Sequence, residues 1–256
     1  MNIDYPTMIR VISQVAWPFA RISGLLLTVP VFSSVLIPSR IKIILLVTLS
    51  WVCAPLIPRE LTFLNFNGNY IVYVAHELLF GLLMGFVLQL AFQVFILGGQ
   101  IISMQAGMSF AVMVDPASKA SVPLVGQLYL LMITLVFLSL NGHLALVETL
   151  MESFKVMPVG KMTVTSSMLW HVIIFSSWMF KKALLISIPA LLSLLVVSLS
   201  FGVMARAAPQ LNVFTLGFPI TLLMGIVVIK IGLPSVVAQM AEIIEDGMRF
   251  VVGMLH

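Results

Sequence analysis

The chain has 256 residues, 61% of them hydrophobic and 9% charged, with 13 Lys/Arg against 9 Asp/Glu. An ordinary soluble domain is about 45–50% apolar and about 25% charged, so these few charges cannot solvate the outside of a globule this size; a mean hydropathy of +1.17 agrees. A soluble enzyme and a disordered regulator are thereby excluded, and so is a nucleic-acid-binding domain, since no Lys/Arg run tracks phosphates.

The N-terminus, Met1 to Pro18, is not read as a cleavable signal, because Asp4 precedes the first base, Arg10, and no small-residue cleavage pattern follows. Stretches free of Asp, Glu, Lys and Arg then organise the chain: Ile22–Ser39, Ile43–Pro58, Leu78–Val114, Ala120–Val147, Met162–Phe180, Ala183–Ala205 and Ala207–Ile229. A helix needs about 20 apolar residues to span a bilayer, which predicts about five to seven such helices. Lipid cannot satisfy backbone polar groups, and the alternation a barrel requires is missing, so the fold class is all-α, with long kinked helices of integral-membrane type.

Breakers set the expected boundaries. Pro30 and Pro38 bracket a turn, Pro38-Ser39-Arg40 starts a second helix, and Pro55 and Pro58 end it. A polar loop at Asn65–Asn69 precedes a long helix from about Tyr70 to Ala106, with a kink expected at Gly98-Gly99. An irregular segment runs from Gly107 to Pro123, and further helices are expected at Val122–Leu140, Leu144–Lys155, Ser166–Ala205 and Val213–Val252, the last two bent by Pro189, Pro219 and Pro234. The positive-inside rule gives conflicting votes here. Lys181/Lys182 and Arg206 flank the single run Ala183–Ala205, so both cannot be cytoplasmic if that run crosses once.

Little in the chain points to catalysis. The single Cys53 excludes an internal disulfide framework and a Cys-based structural zinc site. His76, His143, His171 and His256 lack metal-ligand spacing, His76-Glu77 reads as a polar helix entrance, and no phosphate loop is present. No metal and no cofactor is therefore expected. Gly107-Met108-Ser109-Phe110-Ala111 resembles a nucleophile turn, and with His143 it suggests a rhomboid-type Ser–His protease. Rhomboids have Gly directly after the Ser, however, and this chain has Phe110. The plainer reading is that Gly107 ends a helix and Ser109 caps a turn.

Arg21 lies in an apolar run, and Glu148 and Glu152 sit four apart on one helix face. A self-contained transporter would use these three as an ion path; the competing reading pairs them with polar groups at an interface or places them at wet helix ends. No second set of inverted, broken helices favours the transporter. Gly81 and Gly85 form a GxxxG step suited to close helix packing. Met104, Met108 and Met113 are soft residues around the irregular segment, suited either to a deformable seal or to filling a core.

Three stretches go further. The first is Gln105-Ala-Gly107-Met-Ser-Phe110-Ala-Val-Met-Val-Asp115-Pro116. The second is Phe137-Leu-Ser-Leu-Asn141-Gly142-His143-Leu, continuing through Glu152-Ser153-Phe154 to Pro158-Val-Gly160. The third is Arg206-Ala-Ala-Pro209-Gln210-Leu-Asn212-Val-Phe214-Thr-Leu-Gly217-Phe218-Pro219. With Arg21-Ile-Ser-Gly24, Pro30-Val-Phe and the length, they resemble the FliR family of flagellar type III export-gate proteins over nearly the whole chain.

That resemblance implies a non-enzymatic subunit of the export gate at the base of the flagellum, in the bacterial inner membrane. Its implied partners are FliP-like and FliQ-like gate subunits, an FlhB-like switch subunit, an FlhA-like export subunit, unfolded flagellar substrates and membrane lipid, with no nucleic acid. The chain looks like a fusion: residues 1–175 resemble a FliP-like portion with a plug loop at 107–122, and 176–256 a FliQ-like helical hairpin. By the same resemblance Gly107, Met108, Ser109, Phe110, Ala111, Val112, Met113, Asp115 and Pro116 are plug residues. Arg206, Pro209, Gln210 and Asn212 form a turn at the cytoplasmic entrance, while Arg21, Gly81, Gly85, Asn141 and His143 serve helix packing and polar interfaces. An assembly standing largely proud of the membrane plane would dissolve the topology conflict.

Overall fold

The computed structural model describes residues 5–34, 37–56, 70–108, 124–159, 164–207 and 213–255, with 5–12, 205, 207 and 213–216 described as backbone only. These residues form helices and turns, with no strand among them. In chain order they are α1 (Tyr5–Thr28), α2 (Pro30–Ser33), α3 (Ser39–Cys53) with a 3-10 turn at Ala54–Leu56, α4 (Tyr70–Gln105), α5 (Leu124–Ser139), α6 (Gly142–Val156), α7 (Ser166–Ala207) and α8 (Val213–Gly253). The all-α class expected from composition is the observed one.

Local chemistry accounts for the helix ends. Pro30 opens α2 at its first position, where its missing N–H costs nothing. Lys42 donates from Nζ to the Ser34 carbonyl at 2.9 Å across the α2–α3 turn. Asn141 carries a left-handed φ of 55° just before α6. Asn tolerates that conformation better than most side chains, and Gly142 follows it.

Four segments, Ser39–Leu56, Tyr70–Gln105, Ser166–Met204 and Gly217–Gly253, are each long and apolar enough to cross a membrane; the bent α5–α6 pair makes up to five. The sequence expected about five to seven such segments, and a single helix over Ser166–Ala205; that helix is observed as the 42-residue α7, running through Lys181-Lys182. At about 1.5 Å per residue α7 is roughly 63 Å long, about twice the hydrocarbon core of a bilayer. α4 likewise continues helically through Gly98-Gly99.

Two compact units emerge, each assembled from distant parts of the chain: Met1–Leu90 with Asn141–Ser176 and Glu245–His256, and Ala91–Leu140 with Ser177–Ile244. In the first, α1 buries a stripe at helical spacing, Trp17, Arg21 and Leu25 among its members. α1 meets the N-terminal half of α4 where side chains are absent. A Cβ on Gly81 would fall onto the Arg21 carbonyl, and one on Gly85 would lie 2.8 Å from the Leu25 oxygen. Phe175 and Phe250 stack with centroids 4.3 Å apart.

In the second unit Phe92 meets Phe137 edge-on at 5.6 Å, and Gly99 allows α5 in so closely that a Cβ there would lie 2.9 Å from Gly126. Gly99 in α4 thus serves close packing. α7 buries a narrow seam, Met179, Ala183, Ile186 and Leu194, while Leu184, Leu192, Val196 and Leu199 face outward. The most apolar window of α4 is 61% buried within the protein, against 11% to 17% for the other three candidate spans. Such outward apolar faces require lipid or another protein against them.

Candidate functional site

The most elaborate polar arrangement among the described residues is built around Arg21 in the first unit. Its Nε donates to Glu77 Oε2 at 2.7 Å, Nη1 to the Ser153 hydroxyl at 2.9 Å and Nη2 to the Met157 carbonyl at 3.0 Å. The Phe80 and Phe154 rings lie 5.0 and 4.2 Å from the guanidinium carbon. The two ion-pair side chains are 0% and 2% exposed. Three helices therefore converge on one cation: α1 supplies it, α4 the carboxylate and one ring, and α6 the hydroxyl, the other ring and a C-terminal carbonyl. That carbonyl, on the residue that ends α6, is a further acceptor beside Glu77.

Glu77 is accordingly not the wet helix entrance that His76-Glu77 suggested; it is the buried counter-charge. An intramembrane-type carboxylate needs a named partner, and this general rule was the available signal, though nothing local pointed from Glu77 to Arg21. The transporter grouping is not assembled. The hydrogen bonds of Arg21 go to Glu77, Ser153 and Met157, while Glu148 is exposed and Glu152 half-buried elsewhere on α6. A guanidinium held on all three nitrogens and between two rings is an immobile structural charge, a poor ion relay.

The second arrangement, in the second unit, is the end of α4. Met108 N donates to the Ser103 carbonyl at 3.0 Å and Gly107 N to the Met104 carbonyl at 3.2 Å, with Gly107 at φ 77°. This is a Schellman ending, in which a left-handed glycine lets the last carbonyls be satisfied. The turn lies against α8. A Cβ on Gly107 would be 3.3 Å from the Phe218 ring, and one on Gly225 would be 2.6 Å from Ala106 Cβ. Phe218 and Gly225 are contacts that sequence reasoning missed, because α4 and α8 are far apart in the chain.

The other expected site residues divide simply. Ser109, Phe110, Ala111, Val112, Met113, Asp115 and Pro116 lie outside the described residues, as do Pro209, Gln210 and Asn212. Arg206 is exposed at the end of α7. Asn141 is the left-handed hinge before α6, and the Nδ1 atom of nearby His143 is buried without a hydrogen-bond partner among the described residues. Since Ser109 is not described, no Ser–His geometry is defined. No cluster of three or more His, Cys, Asp or Glu side chains that could hold a metal occurs among the described residues.

Lys182 of α7 reaches Glu242 of α8 at 3.3 Å, beside the Trp178 ring. Near it a pocket of about 230 Å³ is lined by Tyr129, Pro189, Ser193, Ser235 and Gln239 among apolar neighbours, with no nucleophile–base pair.

The sequence matches the family described as Bacterial export proteins, family 1, over residues 12–247. Match and architecture define a class: a helical export protein of membrane type. Among relatives, the flagellar biosynthetic protein FliR of Escherichia coli (strain K12) is 33% identical over 82% of this chain and 80% of its own length. That of Pectobacterium carotovorum subsp. carotovorum is 32% identical over 90% and 87%. That of Buchnera aphidicola subsp. Baizongia pistaciae is 28% identical over 100% and 99%. The chain belongs to the FliR family.

Proposed function

We propose that this chain is a subunit of the flagellar type III export gate and forms part of the pore through which unfolded flagellar proteins leave the cell. The observation that carries this reading is the end-to-end likeness to FliR proteins, which makes the chain a component of the flagellar export apparatus. The long outward apolar faces fit it, because helices of roughly 60 Å cannot be covered by a bilayer core of about 30 Å and need protein neighbours.

FliP-like and FliQ-like subunits are the proposed neighbours, with residues 1–175 standing in for the former and 176–256 for the latter. Gly107–Pro116 and the loop to Pro123 form the plug, an apolar stopper that blocks ions without gripping an arriving chain. The Arg206–Asn212 turn faces the cytoplasmic entrance and the FlhB-like switch subunit, with an FlhA-like subunit also in the apparatus. The site of action is the inner membrane at the flagellar basal body. The chain has no cofactor and no enzymatic step of its own; energy comes from the proton-motive force and an export ATPase.

The test is the native mass of this protein purified from cells co-expressing the FliP-like and FliQ-like proteins. A single large complex retaining the chain is expected. A lone monomer or homo-oligomer, with both partners well expressed, would overturn the proposal.

A further inference from the structure

The plug reading makes no statement about what holds the root of the plug, and the described residues at the end of α4 bear on it. Phe218, Thr221 and Gly225 occur at i, i+3 and i+7 and so share one face of α8. Each meets the α4 ending: Phe218 and Thr221 lie 3.3 and 3.8 Å from where a Gly107 Cβ would be, and Gly225 faces Ala106 and Met108. Glycine inside a helix is unfavourable by about 0.5–1 kcal/mol relative to alanine, and at one position in α8 that cost coincides with a close contact. Gly225 has one; Gly232, two turns on, has nothing within 4 Å of its Cβ position.

We propose that this face of α8 is the seat that fixes where and in which direction the chain leaves α4, and that Gly225 is its positioning residue. The inference rests on the reading that the segment after Met108 closes the channel. The glycine removes the one methyl that would hold α4 and α8 apart. A Cβ at position 225 would stand 2.6 Å from Ala106 Cβ, whereas carbons pack at about 3.5–4.0 Å. Relieving that overlap moves the α4 ending by about 1 Å, and a functional contact must be held to within roughly 0.5 Å. The left-handed Gly107 transmits the shift, since the Schellman bonds tie Met108 rigidly to the last turn of α4.

The experiment uses the full chain assembled with its partner subunits, reading resting ion leak, complex mass and export of filament protein. Gly225→Ala is expected to raise leak several-fold at unchanged mass, and Gly232→Ala to leave it at the wild-type level. Ala106→Gly added to Gly225→Ala moves the methyl to the other side of the contact and is expected to restore a tight gate. This pair reads the seat even where Gly225→Ala alone fails to assemble: a double variant that assembles and stays tight supports the proposal. One as leaky or as poorly assembled as the single variant overturns it, as does wild-type leak in Gly225→Ala. Deleting Gly107–Val112 separates the two levels. If the deletion leaks and Gly225→Ala does not, the seat is wrong and the plug stands; if the deletion does not leak, the plug reading fails and takes the seat with it.

Discussion

Glu77→Ala tests the buried cation most directly. It leaves Arg21 with no ionic partner in a site from which both side chains are essentially shielded from solvent, at 0% and 2% exposure. Removing one member of a buried pair costs about 3–5 kcal/mol, because an uncompensated charge remains. Here the lower end applies. Arg21 keeps the Ser153 hydroxyl, the Met157 carbonyl and two aromatic rings, and a desolvated cation–π contact is worth about 2 kcal/mol. A loss of about 3 kcal/mol lowers the folded-to-unfolded ratio roughly 150-fold. Reversible unfolding of the purified chain in mixed micelles, titrated with a denaturing detergent, reads it. The double variant Arg21→Met with Glu77→Leu supplies the control. Removing both charges is expected to cost less than Glu77→Ala alone, since apolar replacement of a buried pair is often close to neutral. A cost below about 1 kcal/mol for Glu77→Ala, or a double variant as costly as the two single ones added together, would refute the reasoning.

The remaining predictions concern packing and backbone. Gly81→Ile pushes α1 off α4, because the new Cβ would fall onto the Arg21 carbonyl; a loss of at least about 2 kcal/mol in the same titration is expected, overpacking typically costing about 1–3 kcal/mol. Asn141→Gly should leave stability within about 0.5 kcal/mol of the parent, while Asn141→Val should cost about 1–3 kcal/mol, since φ is 55° and a β-branched residue resists that region. Equal effects of the two would remove the hinge argument. Lys182→Ala should cost less than about 1 kcal/mol in the same titration, because its partner Glu242 is 61% exposed and exposed pairs contribute little; a larger loss would refute the reading of the pair as a weak surface contact.

The seat and the Arg21 cluster differ in how far they could be read from sequence. Gly107 as a helix end was legible, because a glycine after a long apolar helix and before Asp115-Pro116 is a local signal. Gly225 was not, since a glycine in an apolar run says only that something approaches and not what. Arg21 stood out as a charge in an apolar stretch, yet its partners are 56 and 132 residues away. Glu148 and Glu152, four apart on one helix, looked the more suggestive carboxylates and take none of its hydrogen bonds.

By itself, the sequence determined the solvent, the secondary structure and the family. Too few charges exist to face water, lipid-like surroundings leave helix as the form that satisfies the backbone, and helix ends follow from proline, glycine and asparagine acting within a turn or two. Only the tertiary structure decided that Glu77 answers Arg21, and that Gly81, Gly99 and Gly225 each admit a particular neighbour. Helix-forming interactions reach three or four residues along the chain and are written there. The pairing of charges and the close approach of backbones join helices distant in sequence, and these appear only when the chain is folded.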